Sequence, residues 1–121
     1  VKHEADNLFA YFPTVINAVK AANRMQKTLD WENFRAPADF DIYVSIGIGY
    51  GPTLVFDHDM WGQELILASK LGEDVAASRE ILLTEAAQPM LQDSMYKVSH
   101  FPVTLGGDSY LAYRLETSHV A

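Results

Sequence analysis

Apolar residues fall first at helical spacing and then at strand spacing along this chain. Val15, Ala18, Val19, Ala22, Met25 and Leu29 recur at three- and four-residue steps, which predicts a helix over Thr14–Leu29 with one apolar face. Lys20, Arg24 and Lys27 are left for solvent, and Pro13 suits the entry to a first turn. Ahead of that helix, Val1-Lys2-His3, a polar Glu4-Ala5-Asp6-Asn7 and Leu8-Phe9-Ala10-Tyr11-Phe12 read as a hairpin. A start inside a strand suggests that an upstream part is missing. Asp30 to Phe40 carry mixed charge and Pro37 with no period, and read as a loop. Asp41 to Tyr50, rich in β-branched and aromatic residues, predicts a central strand; Gly51-Pro52 predicts a turn and Thr53 to Phe56 a second strand. Gly62 to Gly72 reads as a helix, with Gly72 suited to its C-terminal cap. Ile81-Leu82-Leu83 is a short buried strand, and the brief helix that Thr84 could cap is interrupted by Pro89. Two further strands are expected near Tyr96–Phe101 and Tyr110–Leu115.

The order through residue 84 is β-α-β-β-α-β, counting the aromatic-rich strand as the first. That order implies an α+β fold with a ferredoxin-like βαββαβ core, an antiparallel sheet and both helices on one face. No repeat, low-complexity stretch or second domain interrupts residues 1–121, so a single domain is expected. The 49% of hydrophobic residues is enough for a core at this length.

Charge and composition narrow the chemistry. A formal charge of −7 argues against a nucleic-acid surface, which needs a basic stripe, but not against a nucleotide carried in with a divalent metal. The absence of Cys removes disulfides, thiolate zinc sites and thiol nucleophiles, and is compatible with a cytoplasmic setting. No apolar run approaches the ~18–20 residues of a membrane span. Gly47-x-Gly49-x-Gly51 is not a dinucleotide fingerprint, because Pro52 and a β-rich run follow where a helix is required. Glycines alternating along a strand instead mark close packing against one sheet face. Asp57-His58-Asp59 has ligand-like atoms and also the composition of a polar hairpin tip, as does Asp6. His3, His100 and His119 show no ligand spacing.

Longer stretches carry a resemblance. Lys2-His3-Glu4-Ala5-Asp6-Asn7-Leu8-Phe9-Ala10-Tyr11-Phe12 resembles the hairpin of class III adenylyl/guanylyl cyclases, in which Lys or Glu precedes a Gly-Asp turn; Ala5 stands in place of that Gly. Ser45-Ile46-Gly47-Ile48-Gly49-Tyr50-Gly51 is similar to the family's Ile-Gly-Ile-His-x-Gly strand. The most specific stretch is Asp59-Met60-Trp61-Gly62-Gln63-Glu64-Leu65-Ile66-Leu67-Ala68-Ser69-Lys70-Leu71. It resembles the family's Asp-x-Trp-Gly-x-x-Val-Asn-x-Ala-Ser-Arg segment. Arg79 to Thr84 looks like the strand that follows it.

The resemblance implies an adenylate cyclase that converts ATP to cyclic AMP and pyrophosphate at a homodimer or heterodimer interface. Two divalent ions, Mg²⁺ or Mn²⁺, would activate the ribose 3′-OH for attack on the α-phosphate. By position, Asp6 matches the second metal ligand, while Lys2 and Asp59 match the pair that selects adenine. The first metal Asp would belong upstream of Val1. Three positions depart from the family. Ile66 replaces the Asn that holds the ribose, Lys70 replaces the Arg that neutralises phosphate charge, and Gly106 falls where a phosphate-binding Lys is expected. These departures predict impaired turnover. The alternatives are a catalytically silent dimerisation or nucleotide-binding module in a signalling protein, and an unrelated ferredoxin-like binding domain.

Overall fold

The computed structural model describes residues 2–4, 7–57 and 59–116, with backbone alone for 2–4. Two short strands, β1 (Lys2–Glu4) and β2 (Asn7–Phe9), pair antiparallel. Helix α1 (Val15–Arg35) follows. The Thr14 hydroxyl accepts the Asn17 amide at 3.1 Å, satisfying one of the first-turn N–H groups that has no helical partner. Ala36 leaves the helix with φ −94° and ψ 160°, the extended conformation favoured before a proline, here Pro37.

The helix runs through Arg35, beyond the Leu29 expected from periodicity. Its last turns are held by side chains rather than by an apolar stripe. Asp30 is paired with Arg79, and Asn33 both donates to the Ile42 carbonyl and accepts the Ile42 amide, each at 2.8 Å. The same bonds explain why the strand expected over 41–50 contracts to β3 (Ile46–Ile48). The Ile42 backbone is taken up by Asn33, and the Val44 carbonyl accepts from Gln26 Nε2 and the Arg79 amide. A ladder cannot use groups already engaged.

Strands β4 (Leu54–Phe56) and β5 (Asp59–Trp61) form a separate antiparallel ribbon. Helix α2 (Gln63–Lys70) leads into a π-helical turn over Leu71–Val75. Strand β6 (Ile81–Leu83) is buried throughout. After it, the Thr84 hydroxyl accepts the Ala87 amide, and a 3₁₀ turn over Gln88–Leu91 accommodates Pro89. Strands β7 (Val98–Leu105) and β8 (Asp108–Leu115) close the chain as a hairpin. Its two-residue loop is Gly106-Gly107 at φ 59° and 87°, the positive dihedrals that tight hairpins require.

The α+β class is as expected, with helices packed on a sheet; the pairing within it differs. The four-stranded sheet has the order β3-β6-β8-β7, and among the described residues β2 joins only β1. The sheet is mixed rather than wholly antiparallel. β3 and β6 run parallel, as a crossover through a helix demands, while β8 is antiparallel to both neighbours. The helices also lie on opposite faces rather than on one. Val15, Val19 and Ala22 of α1 pack with Ile48, Ile81, Leu83 and Leu115. Leu71, at the end of α2, packs with Leu82 and Ala112 on the other face. The period-two alternation of Ile81, Leu82 and Leu83 divides one strand between two cores.

Gly47 fixes the height of α2 above the sheet. A Cβ at Gly47 would overlap the Ala68 carbonyl oxygen and stand 3.0 Å from the Gly72 amide nitrogen, so only glycine admits this approach. Among the described residues no helix is long and apolar enough to cross a membrane.

Candidate functional site

One face of α2 borders a cleft. Gln63, Ile66, Leu67 and Lys70 recur at three- and four-residue steps and line it from the helix side, while Leu105, Gly106, Asp108 and Tyr110 line it from the β7–β8 hairpin. Its volume is about 200 Å³. Lys70 reaches across: its Nζ lies 3.8 Å from where a Cβ on Gly106 would stand. Ile66, 48% exposed, presents an aliphatic surface to the same cleft. The structure thus gathers in one place Ile66, Lys70 and Gly106, of which the first and last lie 40 residues apart in sequence.

A second recess of about 260 Å³ adjoins the first and shares Gln63, Leu67, Leu105 and Tyr110 with it. Glu64 organises that end. Its Oε1 accepts the Thr84 hydroxyl at 2.6 Å and the Tyr50 amide at 3.1 Å, tying the start of α2 to the ends of β6 and β3. Gly49 and Gly51 leave room for it: a Cβ on Gly51 would meet the Glu64 Cγ at 2.8 Å. Glu64 was not singled out by sequence reasoning. Its signal was the paired glycines, read as close packing without the residue that packs.

Asp59 stands apart from the cleft, at the start of β5. Its Oδ1 accepts the Met60 amide at 2.9 Å and its Oδ2 accepts the Trp61 indole N–H at 3.1 Å. Met60 points inward and is 2% exposed, which turns Asp59 and Trp61 to the other side of the ribbon. Lys2 lies in β1 opposite Phe9, and its side chain is outside the description. Asp6, His58 and His119 lie outside the described residues. Strand β2 is tied to the π-helical turn after Lys70 by a bond that the Asn7 side-chain Nδ2 donates to Glu73 Oε1. His100 lies against Tyr113, ring centroids 6.0 Å apart, a packing contact between β7 and β8.

Among the described residues no three His, Asp or Glu side chains converge as a metal would need.

No protein-family model and no curated protein matches the sequence. Solved structures do match by fold. An adenylate/guanylate cyclase/hydrolase from Silicibacter pomeroyi superposes with a TM-score of 0.79 at 19% identity, over 95% of this chain and 70% of that one. The catalytic core of a rhodopsin-guanylyl cyclase with converted specificity, solved in complex with ATPαS, superposes with a TM-score of 0.63 at 19% identity. That match covers 93% of this chain and 62% of the other. The chain has the fold of the adenylate/guanylate cyclase domain.

Proposed function

We propose that this chain is a class III cyclase homology domain that pairs with a second cyclase domain and takes ATP, with its own catalytic set impaired. The observation that carries the reading is the cleft between α2 and the β7–β8 turn on a cyclase fold. Lys70 and Ile66 both line it, and the resemblance assigns Lys70 to phosphate charge and Ile66 to the position of the ribose-holding Asn.

In this reading Lys70 balances phosphate charge as a point charge, without the bidentate fork of an arginine. Ile66 offers no donor or acceptor to the ribose hydroxyl. Loss of one preorganised donor typically costs on the order of 10²–10³ in rate. A divalent ion would supply Lewis-acid activation when bound. Asp6 is the ligand that the resemblance assigns, and the described residues add no further cluster to it.

Pairing is supported by the β4–β5 ribbon: Leu54, Val55 and Phe56 are all exposed along β4, with Trp61 exposed opposite Leu54. An apolar ribbon of this kind is the composition of an interface core.

The test is cyclic AMP formation from ATP and Mn²⁺ by the full-length protein, beside an Ile66→Asn variant. Little or no product from the natural sequence and a gain in the variant would establish an impaired cyclase. Silence in both, with ATP bound, would favour a regulatory module that binds without turnover.

A further inference from the structure

The 16 carboxylates of this chain leave one long gap: none falls from Leu8 to Leu29, a stretch that holds Lys20, Arg24 and Lys27. Those three cations continue at helical spacing into Trp31 and Phe34. Steps of four, three, four and three residues set all five along one stripe of α1. Val15, Val19, Ala22 and Gln26 form a separate, buried stripe. Lys20, Arg24 and Lys27 are exposed and form no ion pair among the described residues. The carboxylates next in sequence are already engaged, Asp30 by Arg79 and Glu32 by Arg35. At the end of the stripe Trp31 and Phe34 are 58% and 81% exposed, their rings stacked with centroids 6.0 Å apart. Folding leaves that apolar area in water.

We infer that this stripe docks α1 on an anionic membrane surface, with Lys20, Arg24 and Lys27 at the headgroups and the Trp31–Phe34 pair at the acyl boundary. A basic helix face that carries Trp and Phe suits a helix lying in the interface plane. Crossing is not required, and no helix among the described residues is long and apolar enough for it. Charge complementarity favours lipid over an acidic protein. The stripe spans roughly 20 Å at 1.5 Å per residue, and a uniform anionic layer meets every cation along it without matched partners. An acidic protein needs a carboxylate opposite each cation and a pocket for each ring. The net charge of −7 does not oppose docking in physiological salt. The Debye length there is about 8 Å, so carboxylates elsewhere on the molecule are screened while the stripe touches the surface.

The experiment uses the full 121-residue chain carrying Trp61→Phe, which leaves Trp31 as its one indole. Co-sedimentation is measured with vesicles of phosphatidylcholine alone and with vesicles that also contain phosphatidylserine. Trp31 emission is followed with lipids brominated on the acyl chain. Binding to the phosphatidylserine vesicles, weakened by added salt, with Trp31 quenched, is the expected result. Lys20→Gln, Arg24→Gln and Lys27→Gln together should lower the partition coefficient on the order of 100-fold, at about 5-fold per cation. Arg24→Gln alone should lower it about 5-fold, which keeps the test valid if the triple variant does not fold. Phe34→Ala should weaken binding and leave its salt dependence unchanged. Equal binding to phosphatidylcholine alone, or binding that the cation variants do not weaken, overturns the inference and moves the contact to another surface such as the β4–β5 ribbon. Bound protein with Trp31 unquenched also overturns it. Binding of polyglutamate without binding of vesicles overturns it in favour of an acidic protein partner, and binding of neither removes the docking role altogether.

Discussion

Gly47→Ala removes nothing from the molecule and adds one methyl group where α2 crosses β3. That methyl would overlap the Ala68 carbonyl oxygen and lie 2.9 Å from its carbonyl carbon and 3.0 Å from the Gly72 amide nitrogen. All three are backbone atoms in the helix and its π-helical continuation, so no rotamer change relieves them. The helix has to lift by roughly 1 Å, and a gap of that size forfeits a quarter to a half of each van der Waals contact it opens. Leu71, 3% exposed beneath this crossing, loses its fit to Leu82 and Ala112. Overpacking of close-packed interiors costs about 1–3 kcal/mol, and a clash with fixed backbone belongs at or above the top of that range. Against a total stability on the order of 5–15 kcal/mol, a cost of ~3 kcal/mol is large. Urea unfolding followed by circular dichroism should show the midpoint falling by about 1–3 M at unchanged slope. Gly51→Ala is the internal comparison: its methyl meets only the flexible Glu64 side chain, at 2.8 Å, and should cost no more than ~1 kcal/mol. Equal midpoints for the two variants would refute the close approach of α2 to β3, and with it the placement of Lys70.

Two further outcomes test the frame around the site. Thr14→Ala removes the hydroxyl that caps α1 and should destabilise the protein by about 1 kcal/mol, read as a lowered thermal midpoint; no change would mean that the cap at Asn17 contributes nothing. The hydrogen bond from Tyr43 to Asp41, together with the Asp41 charge, raises the Tyr43 phenol above its ordinary value near 10. A raised folded-state value means that this contribution is fully present below the unfolded pKa and is lost as pH rises through the folded one. Tyr43→Phe should therefore flatten the alkaline limb of a stability–pH curve, and an unchanged limb would show that the bond does not form in solution.

Much of this fold was legible because single residues carried unambiguous local physics. Ile81-Leu82-Leu83 is apolar throughout and forms a buried strand, and glycine alternation along the strand marks Gly47 as a close-packing position, which the approach of Ala68 and Gly72 fills. What was not legible depended on partners distant in sequence. The final turns of α1 exist through Arg79 and Ile42, and the same bonds shorten β3. Neither effect leaves a period in the local sequence. The division of the two helices between opposite faces was also missed. It turns on which of Ile81 and Leu82 meets which helix, and alternation alone does not say. At the site, the helical spacing of Ile66 and Lys70 was visible from sequence, while their meeting with Gly106 required the β7–β8 hairpin to fold back over α2. Glu64 went unnoticed because nothing in its own neighbourhood marks it. Its partners Tyr50 and Thr84 lie 14 and 20 residues away.

In the proposed function, the cleft under Lys70 holds nucleotide phosphate. The direct measurement is equilibrium titration of the full-length protein with ATP in Mn²⁺, beside a Lys70→Ala variant checked for unchanged unfolding. Binding by the natural protein that weakens roughly 10-fold in the variant, as expected for loss of one charge-assisted contact, is the predicted result. Binding of equal strength in the two would move the nucleotide away from α2, and absence of binding in the natural protein would leave a cyclase fold put to another use.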